Sequence, residues 1–294
     1  MNLRFDQKAE WIEAAICSVL RAAPVRITRQ GSGSSVQDTT HYKRHTHKKM
    51  TVTMKEEWLN PTSTTGGTRV FVVRHGQTDW NIAGILQGHT DISLNDTGVE
   101  QARALGRRLA AAGFTPENFD VVVSSDLKRC RQTLEALFDG LGASSVPDHA
   151  EYTPELRERC MGDVEGMHIA AAREKFGPLF KERGEPQKEM QRRVAGRVAD
   201  ATARAQEMRS PQDSNPRTVL VCTHGGAVRA LVAQWTAQGW RMPANATDSP
   251  ANTCLSLVEM HDHNSDGTEK TPALAVYGCT AHLDHVDKQD TDLR

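Results

Sequence analysis

Three short apolar runs constrain this chain more than anything else in it, because each one ends in groups capable of chemistry. The first, Val70-Phe71-Val72-Val73, leads directly into Arg74-His75-Gly76-Gln77-Thr78-Asp79-Trp80-Asn81. Four consecutive apolar residues, three of them β-branched, suit a strand buried on both faces of a parallel sheet. Arg74 and His75 then stand at its carboxyl end. In open α/β sheets that edge is where ligands bind, and Gly76 lets the backbone turn sharply or approach a ligand closely. A guanidinium beside an imidazole at such an edge points to phosphate.

The design recurs twice. Val219-Leu220-Val221-Cys222-Thr223 is followed by His224-Gly225-Gly226 and a predicted helix from Ala227 to Trp235. Phe119-Asp120-Val121-Val122-Val123 passes through Ser124-Ser125 into a helix carrying Arg129. Further helices are expected over about 99–112, 126–141, 168–175 and 188–208, with Asn95, Asp96 and Thr97 offering caps for the first. Residues 151–166 read as irregular, 254–258 as an apolar run and 273–277 as an edge strand. Strand and helix alternate, which predicts an α/β fold: a three-layer sandwich with a mostly parallel central sheet covered by helices.

The catalytic region is expected over residues 68–280. Before it, 1–67 reads as an extension, with one amphipathic helix over 7–21 and then a disordered linker rich in Gly, Ser, Thr and His. That linker carries the basic cluster His41 to Lys49, and Met54 offers a second start. Residues 281–294 read as a polar tail. Lys and Arg number 36 against 37 for Asp and Glu, a net charge of −1, so nothing global favours nucleic acid or a membrane surface. Six scattered cysteines without C-x-x-C spacing suggest reduced thiols, and neither a signal peptide nor a membrane span is evident. A cytoplasmic location is expected.

Taken together, Arg74-His75-Gly76, Asn81, Ser125-x-Leu127-x-Arg129, Leu156-x-Glu158 and His224-Gly225, in this order, resemble the histidine phosphatase superfamily, the phosphoglycerate mutase-like proteins. The resemblance covers about residues 68–260. It implies that His75 is the nucleophile, Arg74 and Arg129 the clamp on the phosphoryl oxygens, and His224 a donor to the phosphoryl group. Glu158 falls on the acid position, with Glu155, Asp163 and Glu165 read as solvated. Thr78, Asn81, Gln87, Gly88 and Gly225 are the implied substrate-binding positions. Arg131 is set aside because it lies about 200° around the helix from Arg129.

The implied activity is hydrolysis of small phosphomonoesters through a phosphohistidine, without metal or cofactor. The expected partner is a small phosphorylated metabolite, with a homodimer allowed. Two alternatives stay open: a cofactor-dependent phosphoglycerate mutase, and an inactive member acting as a binding module. Against the mutase stand the short interval between Glu158 and His224, Pro186 where many relatives have serine, and Cys160-Met161 where the mutase branch has His-Tyr. Residues 167–187, with Lys175, Lys181 and Arg183, are expected to cover the pocket.

Overall fold

The computed structural model describes residues 67–210, 215–246, 249–260, 271–284 and 286. The expected helix 7–21, the linker, the basic cluster and Met54 lie outside these residues. The elements are β1 (Thr68–Arg74), α1 (Asp79–Ala83), α2 (Asp96–Ala111), β2 (Val121–Ser125), α3 (Lys128–Gly140), β3 (Glu151–Thr153) and α4 (Ile169–Phe176). They continue with α5 (Gln187–Glu207), β4 (Arg217–Thr223), α6 (Gly225–Ala237), β5 (Leu255–Met260) and β6 (Ala273–Cys279).

The six strands form one sheet in the order β3-β2-β4-β1-β5-β6. The first four run parallel, and β5 and β6 add an antiparallel edge. Register places the chemistry: Arg74 is opposite Thr223, and Ser124 is opposite Cys222. The carboxyl ends of β1, β2 and β4 therefore finish side by side. Because β5 runs the other way, its first residue Leu255 lies opposite Val73, and the loop preceding β5 reaches the same edge.

Alternation along the strands explains the layers. Phe71, Val73, Val122 and Leu220 face a core with Leu105 and Leu109 of α2 and Leu134, Leu137 and Phe138 of α3. Val70, Val72, Val121 and Val219 face the other core, with Met190, Val194 and Val198 of α5 and Leu231 and Trp235 of α6. Both faces are apolar, so the central strands read as continuous hydrophobic runs. Full burial of one such side chain contributes about 1.5–3 kcal/mol. A charge placed at Val221, which is fully buried in the central β4, would break the sheet first. The predicted three-layer α/β sandwich is the observed fold.

Three local expectations change. Residues 151–153, expected to be irregular, add the edge strand β3, where Tyr152 pairs with Ser124 and carries the Arg131 guanidinium 4.0 Å above its ring. Residues 79–83, outside the helices expected above, form α1 because Thr78 caps it with its side chain. Residues 281–283 are packed rather than tail-like: Ala281, His282 and Leu283 are buried, and His282 Nε2 meets Thr253 Oγ1 at 3.0 Å. No helix among the described residues is long and apolar enough to cross a membrane.

Candidate active site

The loop leaving β1 is held almost atom by atom. The backbone N–H of His75 continues the ladder to Thr223 O at 2.9 Å. Gly76 N donates to Thr133 Oγ1 at 3.0 Å, and Gln77 N to Gln101 Oε1 at 3.0 Å. The start of α2 presses directly on this loop. A Cβ at Gly76 would stand 2.4 Å from Gly98 O, and one at Gly98 would stand 2.1 Å from Gln77 O, so only glycine fits either place.

This loop fixes the chemistry of His75. Its Nδ1 lies 2.7 Å from Gly76 O. A carbonyl only accepts, so Nδ1 carries the proton and Nε2 keeps its lone pair for the pocket that His75 lines. Burial, then the positive charges of Arg129 and Arg74, hold the imidazole pKa well below its ordinary 6.5, against the pull of the Gly76 carbonyl. His75 is thus a neutral, oriented imidazole at neutral pH.

Arg129 is fully buried on the first turn of α3. Its Nη1 donates to Thr90 O and its Nη2 to Gly88 O, each at 2.8 Å, while Nε donates to His224 Nδ1 at 3.1 Å. Three of its five N–H groups thus fix the plane, leaving two for a ligand. Arg74 lines the same pocket, with Nη1 donating to Pro250 O at 2.5 Å. Arg131 points elsewhere, its Nε donating to Asp126 O at 2.9 Å, as its position on the helix requires.

His224 is placed differently from the donor that the resemblance implies. Because Arg129 Nε can only donate, His224 Nδ1 must accept, so the neutral ring carries its proton on Nε2 and gives it to Ser125 Oγ at 2.8 Å. Both ring nitrogens are engaged within the protein, and the ring stands behind Arg129 rather than on the pocket wall. Burial, then Arg129, depresses its pKa well below the ordinary value.

Glu158 comes from the segment after β3. Its Oε1 accepts from Arg159 N at 2.9 Å and its Oε2 from Gly226 N at 2.8 Å, at the start of α6. It lines the pocket with His75 and Arg129. Glu155 and Asp163 are more than half exposed, as expected. Glu165 is half-buried rather than solvated: its carboxylate accepts from His89 N and Met161 N at 2.9 Å and from Thr90 Oγ1 at 3.0 Å. Burial works to raise the Glu165 pKa, but these donors outweigh it and hold it below the usual carboxylate range. Glu165 thereby ties the 86–90 loop to the segment carrying Glu158.

Among the implied substrate-binding positions, Asn81, Gln87, Gly88 and Gly225 line a pocket of about 720 Å³. Asn81 Oδ1 accepts from Thr78 N at 3.1 Å, Thr78 Oγ1 at 3.0 Å and Asn252 Nδ2 at 3.3 Å, which turns its NH2 group the other way. Thr78 itself is fully buried, with its hydroxyl occupied by Asn81 and by Gln87 Nε2 at 2.9 Å, so it supports the site without reaching it. Of the cover residues, Lys181 lines the pocket, while Arg183 pairs with Asp163 and Lys175 lies against Phe176.

Sequence reading missed Asn252, Thr133, Arg159 and Arg229. Asn252 Nδ2 donates to His75 O at 3.0 Å and to Gly76 O at 3.1 Å, and the adjacent Thr253 holds a left-handed φ of 52° that is costly for a β-branched residue. The signal was the polar pair Asn252-Thr253 just before an apolar run. It pointed to this edge only if that run were antiparallel.

The family model described as histidine phosphatase superfamily (branch 1) matches residues 70–268. A broad-specificity phosphatase of Saccharomyces cerevisiae, YOR283W, is 42% identical over 57% of this chain and 69% of its own length. A 2,3-bisphosphoglycerate-dependent phosphoglycerate mutase of Bradyrhizobium is 35% identical over 55% of this chain and 78% of its own. Among solved structures, a mycobacterial glucosyl-3-phosphoglycerate phosphatase superposes with a TM-score of 0.56 at 25% identity, covering 72% of this chain and all of that one. The match over residues 70–268 places the chain in the histidine phosphatase superfamily, branch 1, as a phosphatase that hydrolyses phosphomonoesters.

Proposed function

We propose that this chain hydrolyses small phosphomonoesters in two displacements at His75, with no metal taking part. The observation that carries this is the bond from His75 Nδ1 to Gly76 O, which leaves a neutral Nε2 lone pair between two guanidiniums. In the first step Nε2 attacks phosphorus and the ester P–O bond breaks. Arg74, Arg129 and the Asn81 amide stabilise the equatorial oxygens, and protonated Glu158 gives its proton to the departing oxygen. In the second step a water oxygen attacks phosphorus and the P–N bond breaks. Glu158 takes the water's proton, releasing phosphate and restoring neutral His75.

In this reading His224 holds Arg129 by its Nε and so aims the fork. The charge that a metal would supply comes from the arginines. The Pro186 and Cys160-Met161 departures, together with the short interval between Glu158 and His224, support hydrolysis over mutase chemistry. The scattered cysteines fit a reducing, cytoplasmic setting.

Rapid quench with phosphorus-labelled substrate tests the reading. The wild type should trap an acid-labile, base-stable phosphoryl group that is absent in His75→Ala. An acid-stable adduct, or an adduct that survives in His75→Ala, would refute it. With 3-phosphoglycerate, primer-dependent appearance of 2-phosphoglycerate with little free phosphate would establish the mutase instead.

A further inference from the structure

Beyond the residues assigned to the phosphoryl group, three more cations line the same pocket: Arg159, Lys181 and Arg229. They come from separate parts of the chain, Arg159 beside Glu158, Lys181 in the 3-10 turn Phe180–Arg183 and Arg229 from the second turn of α6. Glu158 is the single carboxylate among the described residues that line the pocket. None of the three cations pairs with a carboxylate among the described residues. Arg159 Nε donates to Glu185 O at 2.6 Å, and its Nη1 to Gln187 Oε1 at 3.4 Å. Arg229 Nη1 donates to Ser249 Oγ at 3.2 Å. Lys181 Nζ, 5.7 Å from the centre of the Phe180 ring, makes no hydrogen bond or ion pair among the described residues.

A count of charge shows what this arrangement fits. A phosphomonoester brings about −1.5 to −2 at pH 7, which the guanidiniums of Arg74 and Arg129 match. Glu158 is then the one carboxylate of the pocket lining set against the three charges of Arg159, Lys181 and Arg229, so the complex keeps an excess of positive charge on that side. Burial, then Arg229, with Arg159 and Arg173 adding and Glu158 opposing, lowers the Lys181 pKa, as expected for cations crowding one another. Five arginines elsewhere, Arg103, Arg157, Arg183, Arg193 and Arg197, each meet a carboxylate. Leaving three unpaired around one cavity is tolerable where an incoming anion supplies the partner.

We propose that Arg159, Lys181 and Arg229 form a second anion subsite, so that the substrate is a small phosphomonoester carrying another anionic group, a carboxylate or second phosphate, on its leaving-group side. The inference rests on the phosphatase reading and narrows its substrate class. Arg159 and Arg229 offer forks for a planar or tetrahedral anion, and Lys181 offers a point charge from the cover.

The test compares matched esters on the full chain at low ionic strength. 3-Phosphoglycerate is set against glycerol 3-phosphate, which has CH2OH in place of the carboxylate. Propane-1,3-diol bisphosphate is set against propyl phosphate, and p-nitrophenyl phosphate is the general substrate. In at least one pair the member with the second anionic group should have a kcat/KM about tenfold higher, the effect of one charge-assisted contact. Which pair responds tells carboxylate from phosphate. Lys181→Gln and Arg229→Gln should each cut that ratio at least ~3-fold, and the preference should fall as salt screens it. Lys175→Gln, outside the pocket lining, should leave the ratio as it was. Hydrolysis of all five esters with ratios near one, or ratios that ignore both variants, overturns the subsite and leaves the phosphatase standing. Failure to hydrolyse any of the five, p-nitrophenyl phosphate included, overturns both.

Discussion

Replacing Asn252 tests whether the nucleophile depends on a strap from the antiparallel edge. Its amide, in a side chain only 7% exposed, reaches His75 O, Gly76 O and Asn81 Oδ1 at 3.0, 3.1 and 3.3 Å. An NH2 group has two protons, so these three contacts amount to two hydrogen bonds, each contributing about 0.5–1.5 kcal/mol net. None of the acceptors is orphaned by Asn252→Ala, because His75 O keeps Thr253 N, Gly76 O keeps the His75 ring and Asn81 Oδ1 keeps Thr78. The expected loss is therefore about 2 kcal/mol, a fall in Tm of roughly 4–8 °C for a domain this size. The carbonyl that sets the His75 tautomer also loses its outer tie, so phosphoenzyme formation should slow about tenfold. Asn252→Asp separates bonding from shape: it is isosteric but has no donor and brings a carboxylate against three oxygens, so it should be worse than alanine by both thermal melt and rapid quench. If aspartate melts and reacts like the wild type, or better than alanine, the hydrogen-bond account of this strap is wrong.

Arg129→Ala should lower kcat at least ~10²-fold, the scale for one preorganised donor, while Arg131→Ala stays within threefold; steady-state assay of both shows whether the right arginine was chosen. His224→Asn, whose carbonyl oxygen can stand near the Nδ1 position and accept from Arg129 Nε, should keep more activity than His224→Gln; equal loss in both would favour direct donation to the phosphoryl group. The acid limb of kcat/KM, corrected for the second ionisation of the substrate, should fall below pH 6.5, because the fold depresses the His75 pKa. The same depression at His75 and His224 makes the unfolded chain bind more protons as pH drops through about 6.5, so this contribution to stability is complete above that pH and is lost below it. Urea midpoints that rise between pH 7 and 5.5 would contradict that sign.

What the sequence disclosed were the features written in contiguous residues. A β-branched run followed by Arg-His-Gly, His-Gly-Gly or Ser-Ser is a local pattern, and parallel register then aligns the three ends. What stayed hidden depended on direction or on competition for hydrogen bonds. Asn252 reaches the His75 loop only because β5 is antiparallel, which periodicity does not encode. The resemblance put Thr78 among the substrate-binding positions, yet its hydroxyl is taken up in capping α1. Glu165 reads as surface charge in a polar segment, but three donors from distant residues converge on it. His282 lies beyond the last strand in a charged stretch, and only the turn that carries it back onto Thr253 buries it.

The site joins two halves that are secured in different ways. On the nucleophile's side the fastening is backbone and small polar groups. Thr133 Oγ1 accepts from Gly76 N and donates to Arg129 O at 2.6 Å, so one residue, a helical turn beyond the clamp, sets both the loop and the helix that carries it. On the acid's side the fastening is charge. Arg193 of α5 donates to Arg157 O at 2.7 Å and to Glu158 O at 2.8 Å, and pairs with Glu185, whose carboxylate also accepts from Cys160 N at 3.3 Å. Side-chain ion pairs of partly exposed residues yield to salt and to substitution more readily than a ladder inside a sheet. The setting of His75 is thereby fixed by the fold, whereas the pocket wall where Glu158, Arg159 and Lys181 lie is the part that sequence change can reshape without disturbing His75.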